Sequence, residues 1–222
     1  MKKHICIVLV CFMFNISCMG LSKKPVIDVK NSMELIIKPG ENWESKRKFF
    51  IFNLKRTPQM AAWIEDNNNK YISTIIVTSK SAKKNWINAP KQGRPEGLPV
   101  WNHKHQLSSD NIDTVSTATP KGSVIVNVSN DSLVKGNVYN VYLEINYAYD
   151  YNDFWTENNS GVNGQPSLVY HTQFIAGLSD TIRLVPVGHG AVDGSNGNIT
   201  SDLSNFTSAL SIMDSANIRL GN

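Results

Sequence analysis

Apolar side chains occupy every second position in the stretch YNVYLEINYAY, residues 139–149. One side of this pattern holds Tyr139, Val141, Leu143, Ile145 and Tyr147, and the positions between them hold Asn140, Tyr142, Glu144 and Asn146. Successive side chains of a strand point to opposite faces, so this period of two predicts a strand with one buried face. Such a strand needs a second layer of structure to cover its apolar face.

Further stretches repeat the strand signal along the chain. Val124, Val126 and Val128 share one face of GSVIVNVSN, and QMAAWIED runs through an asparagine-rich turn at residues 67–69 into YISTIIVTS. Asparagine tolerates positive φ, so these residues favour a hairpin. The other predicted strands are MELIIK, KFFIFNL, SLVYHTQFI and TIRLVPV. Many short strands at this spacing predict an all-β fold, an antiparallel sandwich with long loops.

One segment near the C-terminus fits a helix as well as a strand. In DLSNFTSALSIM, residues 202–213, Asp202 or Ser204 could cap a short helix. The stretch DGSNGN at residues 193–198 predicts tight turns, because an EF-hand calcium loop would need glycine where Asn198 stands. No internal repeat or second domain boundary is visible, so residues 31–222 are interpreted as a single domain.

The N-terminus has the pattern of a signal peptide. Lys2 and Lys3 precede ten mostly apolar residues, 5–14. That run is too short to span a bilayer, which takes about 20 residues, and it suits a signal-peptide core. Ser17 stands directly before Cys18, so cleavage there would leave a cysteine with a free amino group and a thiol for lipid attachment.

We therefore expect residues 1–17 to be a signal peptide and residues 18–30 to be a tether that begins with a lipidated Cys18. This arrangement anchors the domain outside the cytoplasm, in a bacterial cell envelope. The alternatives are an ordinary cleaved signal with an incidental cysteine and a retained membrane helix. Cys6, Cys11 and Cys18 are the only cysteines, so the domain beyond them has no disulfide, zinc–thiolate site or cysteine nucleophile.

The charge balance argues against nucleic acid as a partner. The chain holds 22 basic and 18 acidic residues, and removal of Lys2 and Lys3 leaves a formal charge of +2. Binding to nucleic acid needs a dense basic patch. The sequence also contains neither a Gly-x-Ser-x-Gly elbow nor a glycine-rich phosphate loop, so it does not indicate a nucleotide enzyme or an α/β-hydrolase.

Four stretches, taken in order, carry a family resemblance. They are AAWIEDNNNKYISTI, WINAP with the downstream GLPVW, DTVSTATPKGSVIV, and VKGNVYNVYLEINYAYDYNDFW. Over about residues 45–180 the chain resembles a family of predicted periplasmic proteins of unknown function. The resemblance implies an immunoglobulin-like β-sandwich akin to that of flagellar hook-capping proteins. Relatives often accompany periplasmic flavin-transferase and membrane redox components, and the family supplies no catalytic residues.

Two stretches without strand patterns, residues 83–107 and 150–166, are candidate functional loops, since long loops on a rigid β scaffold often carry function. The candidates for contact with a ligand or partner are the aromatic residues Trp86, Trp101, Tyr151, Phe154 and Trp155. Such residues often anchor interfaces. They could equally pack into the core.

His103 and His105 are the candidate metal ligands of the chain. On a strand, residues two apart share a face, so the two imidazoles could bind a divalent transition metal together with a third ligand. Two exposed loop histidines are the simpler interpretation. Asp150, Asp153 and Glu157 could similarly bind calcium, act as a carboxylate pair on a glycoside, or simply lie in a polar loop.

The sequence favours a non-enzymatic, lipid-anchored β-sandwich that binds another envelope component or a small ligand, with no cofactor. One alternative is an accessory protein in extracytoplasmic redox or metal handling, with a metal held by the histidine pair. Another is a hydrolase of polysaccharide.

Overall fold

The computed structural model describes residues 33–49, 52–84, 93–106, 115–117, 122–128 and 133–221. Their secondary structure is mostly β, arranged as a four-stranded sheet, a six-stranded sheet and a separate two-stranded hairpin. The all-β prediction is therefore confirmed. In the described ranges, no helix has the length and apolar character needed to cross a membrane.

The four-stranded sheet has the order β10-β12-β1-β7, and every pair is antiparallel. Its strands are β1 (Met33–Pro39), β7 (Val124–Val128), β10 (Asp180–Arg183) and β12 (Met213–Leu220). Leu35 lies opposite both Ile218 and Val126, so one apolar row crosses three strands. The predicted strand over the valine repeat is confirmed as β7, in which Val124 and Val126 are buried.

The six-stranded sheet has the order β11-β9-β8-β4-β5-β6. Its strands are β4 (Gln59–Asp66), β5 (Tyr71–Thr78), β6 (Val115–Thr117), β8 (Val138–Asn146), β9 (Leu168–Ile175) and β11 (Val185–His189). Only β6 runs parallel to its neighbour. The predicted hairpin is confirmed as β4 and β5, and Asn69 in its turn has φ of 60°.

Two predicted strands are each divided in the structure. The KFFIFNL run contributes to both β2 (Ser45–Phe49) and β3 (Phe52–Arg56), which pair as a hairpin. No glycine, proline, asparagine or aspartate separates the two strands in the sequence, so no turn residue indicated that the run would divide. The TIRLVPV run leaves one sheet as β10 and joins the other as β11, with Leu184 buried at the crossing.

The segment 202–213, which fitted a helix as well as a strand, forms neither over most of its length. Ser208–Ser211 form only a single 3₁₀ turn, and β12 follows directly. This strand lies inside the four-stranded sheet between β10 and β1, where Ala216 and Ile218 are fully buried. The Gly40 and Asn42 amides donate to the carbonyl oxygens of Ile212 (2.9 Å) and Ser211 (3.0 Å), so contacts with distant residues outweigh the local capping signal.

The main core lies between the two large sheets. The five alternating apolar residues, four on β8 and one directly after it, are all buried there, which confirms the predicted face: Tyr139, Val141, Leu143, Ile145 and Tyr147. The opposite face of β8 is also largely buried, which the alternation did not predict. A second apolar cluster covers that face.

The second cluster exists because residues 93–106 lie across the outer face of the six-stranded sheet. The range that was expected to be an irregular loop contains a 3₁₀ turn, Pro95–Gly97, and helix α2, Pro99–Gln106. Leu98, Val100 and Trp101 from this covering segment pack on Trp63 and other outward-facing residues of the sheet. Two shorter helices are α1 (Ser79–Lys83) and α3 (Glu157–Ser160).

The sandwich has two distinct ends. At one, β1 begins at Met33, which pairs with Leu220, and Leu220 in turn pairs with Asp180 at the start of β10. We call this the Met33 end. At the other, β8 ends at Asn146 and the long connection over residues 147–167 follows. We call this the loop end.

Candidate functional site

The two candidate metal-binding histidines lie on helix α2 rather than on a strand. Positions two apart on a helix differ by about 200° around its axis, so the shared face that we expected is wrong. His103 points to the 193–198 turn, with Nε2 3.1 Å from the Gly194 carbonyl oxygen. His105 stacks on Trp101, with ring centroids 5.2 Å apart. The described residues contain no group of three or more histidine, cysteine or acidic side chains that could hold a metal ion.

Trp101, a candidate contact residue, is buried beneath α2. Its indole nitrogen donates a hydrogen bond of 2.9 Å to Thr74 Oγ1 on β5. Its ring belongs to the second apolar cluster together with Trp63. Trp101 therefore fixes the helix to the sheet and does not offer its ring to a partner.

Glu144 binds the N-terminal end of the same helix. Its two carboxylate oxygens accept hydrogen bonds from the backbone amides of Val100 (3.2 Å) and Trp101 (2.8 Å) and from Ser167 Oγ (2.6 Å). The carboxylate thus caps the N-terminus of α2 from a neighbouring strand, where the helix dipole favours negative charge. Complete burial nevertheless raises the pKa of Glu144 to about 7.

A second buried carboxylate, Glu65, lies on the outer face near the far end of α2. It accepts hydrogen bonds from Trp63 Nε1 (2.8 Å) and Lys104 Nζ (3.0 Å). Next to it Tyr142 stacks on Trp63, with ring centroids 5.2 Å apart. Burial and the Glu65 charge raise the pKa of Tyr142. The contact between Lys104 and Glu65 attaches the covering segment to the six-stranded sheet. The alternation of apolar residues in the sequence does not reveal it.

His171 extends this row of rings on β9. Its Nε2 lies 2.9 Å from Asn140 Oδ1, and Asn140 uses its amide nitrogen to donate to the Asp66 carbonyl oxygen. The asparagine oxygen is therefore the acceptor, and Nε2 of His171 is the donor. Burial lowers the pKa of His171, against the opposing effect of Glu65. In the neutral form of the ring, the lone pair therefore lies on Nδ1.

The second predicted loop, at the loop end, is held in a defined conformation. Asn152 Oδ1 accepts hydrogen bonds from the backbone amides of Phe154 (3.0 Å) and Trp155 (2.7 Å). Its amide nitrogen donates to the Asn205 carbonyl oxygen (2.9 Å) and to Thr207 Oγ1 (3.1 Å). One asparagine therefore shapes the turn and ties it to a neighbouring segment.

The following residues add a second brace. Thr156 and Asn159 form a capping box at the start of α3. The Asn159 amide nitrogen also donates 2.7 Å to the Phe154 carbonyl oxygen. The backbone around Phe154 is thus fixed on both sides, while its side chain is 49% exposed.

The three aromatic residues predicted in this loop have different roles. Trp155 turns inward, with its ring centroid 5.9 Å from Phe206 and 6.0 Å from His189. Tyr151 donates from its hydroxyl to the Gly161 carbonyl oxygen at 2.9 Å. Phe154 is exposed and meets Trp155 edge to face, 4.8 Å between centroids.

Sequence reasoning missed Tyr149, which lies just before this loop. It has φ of 61°, a left-handed conformation that is unusual for an aromatic residue and that often marks functional positions. Its ring is exposed, and the guanidinium carbon of Arg56 lies 4.6 Å from the ring centroid. The sequence held one signal for it: the alternating stretch 139–149 ends on this aromatic residue, directly before Asp150. We define the aromatic loop surface as Tyr149, Tyr151, Phe154 and Val162.

Asp150 is part of the support for this surface. Its carboxylate accepts hydrogen bonds from Ser208 Oγ (2.7 Å) and Gln165 Nε2 (2.9 Å). Burial raises the pKa of Asp150, while the bond from Ser208 lowers it. Asp153 and Glu157 are exposed, and the three acids are not gathered as a metal-binding group.

Two of the expected functional residues, Cys18 and Trp86, lie outside the described residues. The predicted turns at residues 193–198 are confirmed, with the Ser195 amide donating 3.0 Å to Asp193 Oδ1. Searches of protein-family models, of curated proteins and of solved structures found no match to this chain.

Proposed function

We propose that the chain is an exported, lipid-anchored binding module of the bacterial cell envelope, without catalytic activity, with an immunoglobulin-like sandwich as its scaffold. The observation that carries this proposal is the braced aromatic loop surface at the loop end. Phe154 is exposed there on a backbone that Asn152 and Asn159 hold in place.

Rigid exposed aromatic side chains are well suited to anchor an interface. They bury a large area on binding and lose little conformational freedom. The loop conformation already exists in the free chain, so little ordering remains to be done when a partner binds. Tyr149 adds to this preorganisation because Arg56 lies over its ring.

The charges around the surface indicate the kind of partner. Asp153 and Glu157 are exposed on either side of Phe154 in the sequence. The partner that fits this surface is therefore an envelope protein with an apolar pocket for Phe154 and basic side chains at the rim of that pocket. Screening by salt should slow association with such a partner.

The two ends of the sandwich also support an anchored module. The chain that follows Cys18 reaches the sandwich at Met33, and the aromatic loop surface lies at the opposite end. A lipid on Cys18 would attach the Met33 end to the membrane and leave the aromatic loop surface directed toward the aqueous compartment. The alternative role in redox or metal handling rested partly on His103 and His105, and the helix removes that arrangement.

Site-specific photo-cross-linking in intact cells tests the proposal. A benzophenone amino acid replaces Phe154 in one variant and Ile125 in another, since Ile125 is at least as exposed but lies on the four-stranded sheet. We expect one discrete protein adduct from position 154 and none from position 125. Equal adducts from both positions, or none from either, would contradict a binding role for the aromatic loop surface.

A further inference from the structure

A second group of exposed apolar side chains lies at the Met33 end. Val134 is 61% exposed, Ile175 40% and Leu178 54%. None of the three takes part in the main core or in the cluster beneath α2. They lie on two turns, residues 133–137 before β8 and residues 175–178, which begin with the last residue of β9.

The two turns are fixed side by side. The Gly136 amide donates 2.8 Å to the Ala176 carbonyl oxygen, and the Ala176 amide donates 3.0 Å to the Asn137 carbonyl oxygen. A Cβ at Gly177 would lie 2.6 Å from Cγ of Lys135, so the turns are in close contact. The three apolar side chains therefore lie on one braced edge of the sandwich.

This edge adjoins the place where the chain enters the sandwich. Met33 pairs with Leu220, which pairs with Asp180, and Asp180 follows Leu178 by two positions. Residues 19–32, fully extended, span at most about 50 Å. A domain of this size is roughly 40 Å across, so a lipid on Cys18 keeps the Met33 end within about one domain diameter of the bilayer.

Charge near this edge suits a lipid surface. The segment 19–32 contains Lys23, Lys24 and Lys30 against a single acidic residue, Asp28. Lys135 is exposed on the first of the two turns, and Asp180, the acidic residue that follows the second turn, is also exposed, so basic side chains outnumber acidic ones here. Basic side chains next to a membrane are attracted to anionic headgroups.

We propose that Val134, Ile175 and Leu178 form a membrane-contacting surface that inserts into the headgroup region of the bilayer and orients the sandwich on it. The inference rests on the lipid anchor at Cys18 from the proposed function. Interfacial apolar side chains reach about 5–10 Å into the headgroup boundary. This contact would hold the aromatic loop surface away from the membrane.

The test uses the mature lipidated protein in vesicles of phosphatidylethanolamine and phosphatidylglycerol. A nitrobenzoxadiazole fluorophore is attached to a cysteine introduced at Asn137, next to the surface, or at Asn158, at the loop end; both positions are exposed. Doxyl-labelled phospholipid quenches fluorophores that lie in the membrane interface. We expect quenching at position 137 and none at position 158.

Two matched triple variants distinguish the surface from general hydrophobicity. V134S/I175S/L178S removes the proposed contact, whereas I125S/V185S/L210S removes three comparably exposed apolar side chains elsewhere. All six residues are exposed, so folding should tolerate both sets. We expect the first set to abolish quenching at position 137 while the protein still sediments with vesicles, and the second set to leave quenching unchanged.

Each other outcome overturns the inference. Sedimentation with vesicles and equal quenching at both positions would mean that the anchor holds and the sandwich has no fixed orientation. Cross-linking between two copies through position 137, without quenching, would assign the surface to self-association. A mature protein without lipid on Cys18, recovered only in the supernatant, would remove the anchor of the proposed function and this inference with it.

Discussion

Glu144 is a carboxylate that the fold keeps entirely out of water. Its three hydrogen-bond donors favour the ionised form, while burial favours the protonated form and has the larger effect, which raises its pKa to about 7. The residue was recognised from the sequence only as a polar position of β8. Its burial depends on the covering segment, and no local pattern predicts where that segment lies.

Stability should therefore depend on pH through Glu144. The folded-state pKa, about 7, is above the ordinary value of 4.5, so the folded protein binds the proton more tightly than the unfolded chain. The stabilisation is complete below about pH 4.5 and is lost as the pH rises through 7, by an amount on the order of 3 kcal/mol. Urea denaturation of wild type and Glu144→Gln between pH 5 and pH 8 measures this. A difference between the two proteins that does not change with pH would contradict it.

Position 190 needs a glycine because its backbone packs closely against the groups around the Glu144 carboxylate. A Cβ at this position would lie 2.5 Å from Pro99 Cγ, 2.7 Å from Ser167 Oγ and 2.9 Å from a carboxylate oxygen of Glu144. Gly190→Ala should lower the free energy of unfolding by about 1–3 kcal/mol because it forces these groups apart. Gly122→Ala is the matched control, since a Cβ there meets nothing within 4 Å. Equal urea midpoints for the two variants would show that the site tolerates the methyl group.

At the scale of elements, the strands with a local signature could be predicted and those defined by distant partners could not. β8 has an apolar face of period two, and the hairpin of β4 and β5 has asparagines in its turn, so local residues specify both. β12 was not predicted from the sequence, because its pairing with β1 involves residues almost a full chain length away. The predicted shared face of the histidine pair was wrong for a similar reason. Contacts with Glu144 and Thr74 hold α2 on the sheet, and the sequence of the helix itself does not indicate them.

The conformation of the loop that carries the aromatic loop surface depends on Asn152. Asn152→Ala removes the acceptor for the Phe154 and Trp155 amides and two tethers to residues 205–207. We expect local opening to become easier by about 1–2 kcal/mol, which is roughly a tenfold faster hydrogen exchange at those two amides. Asn158→Ala, an exposed position in the same loop, should leave their exchange unchanged. Unaltered exchange in Asn152→Ala would show that the loop is held by other contacts.

At the scale of the whole molecule, the proposed anchor and the proposed binding surface lie at opposite ends of the sandwich. Cys18→Ser should move the protein from the membrane fraction to the soluble fraction, because stable attachment requires acyl chains in the bilayer. The fold itself should be unaffected, since the described strands begin only at Met33. Retention of Cys18→Ser in washed membranes would indicate a different means of attachment.

The most direct test of a binding role is the affinity of the cross-linked partner for the wild-type protein and for two alanine variants. Phe154→Ala removes the proposed anchor, and Ile125→Ala removes a comparably exposed residue on a face without a proposed role. We expect binding to be weaker by about tenfold or more for Phe154→Ala and unchanged for Ile125→Ala. Equal affinity of all three proteins would contradict the assignment of the aromatic loop surface as the binding site.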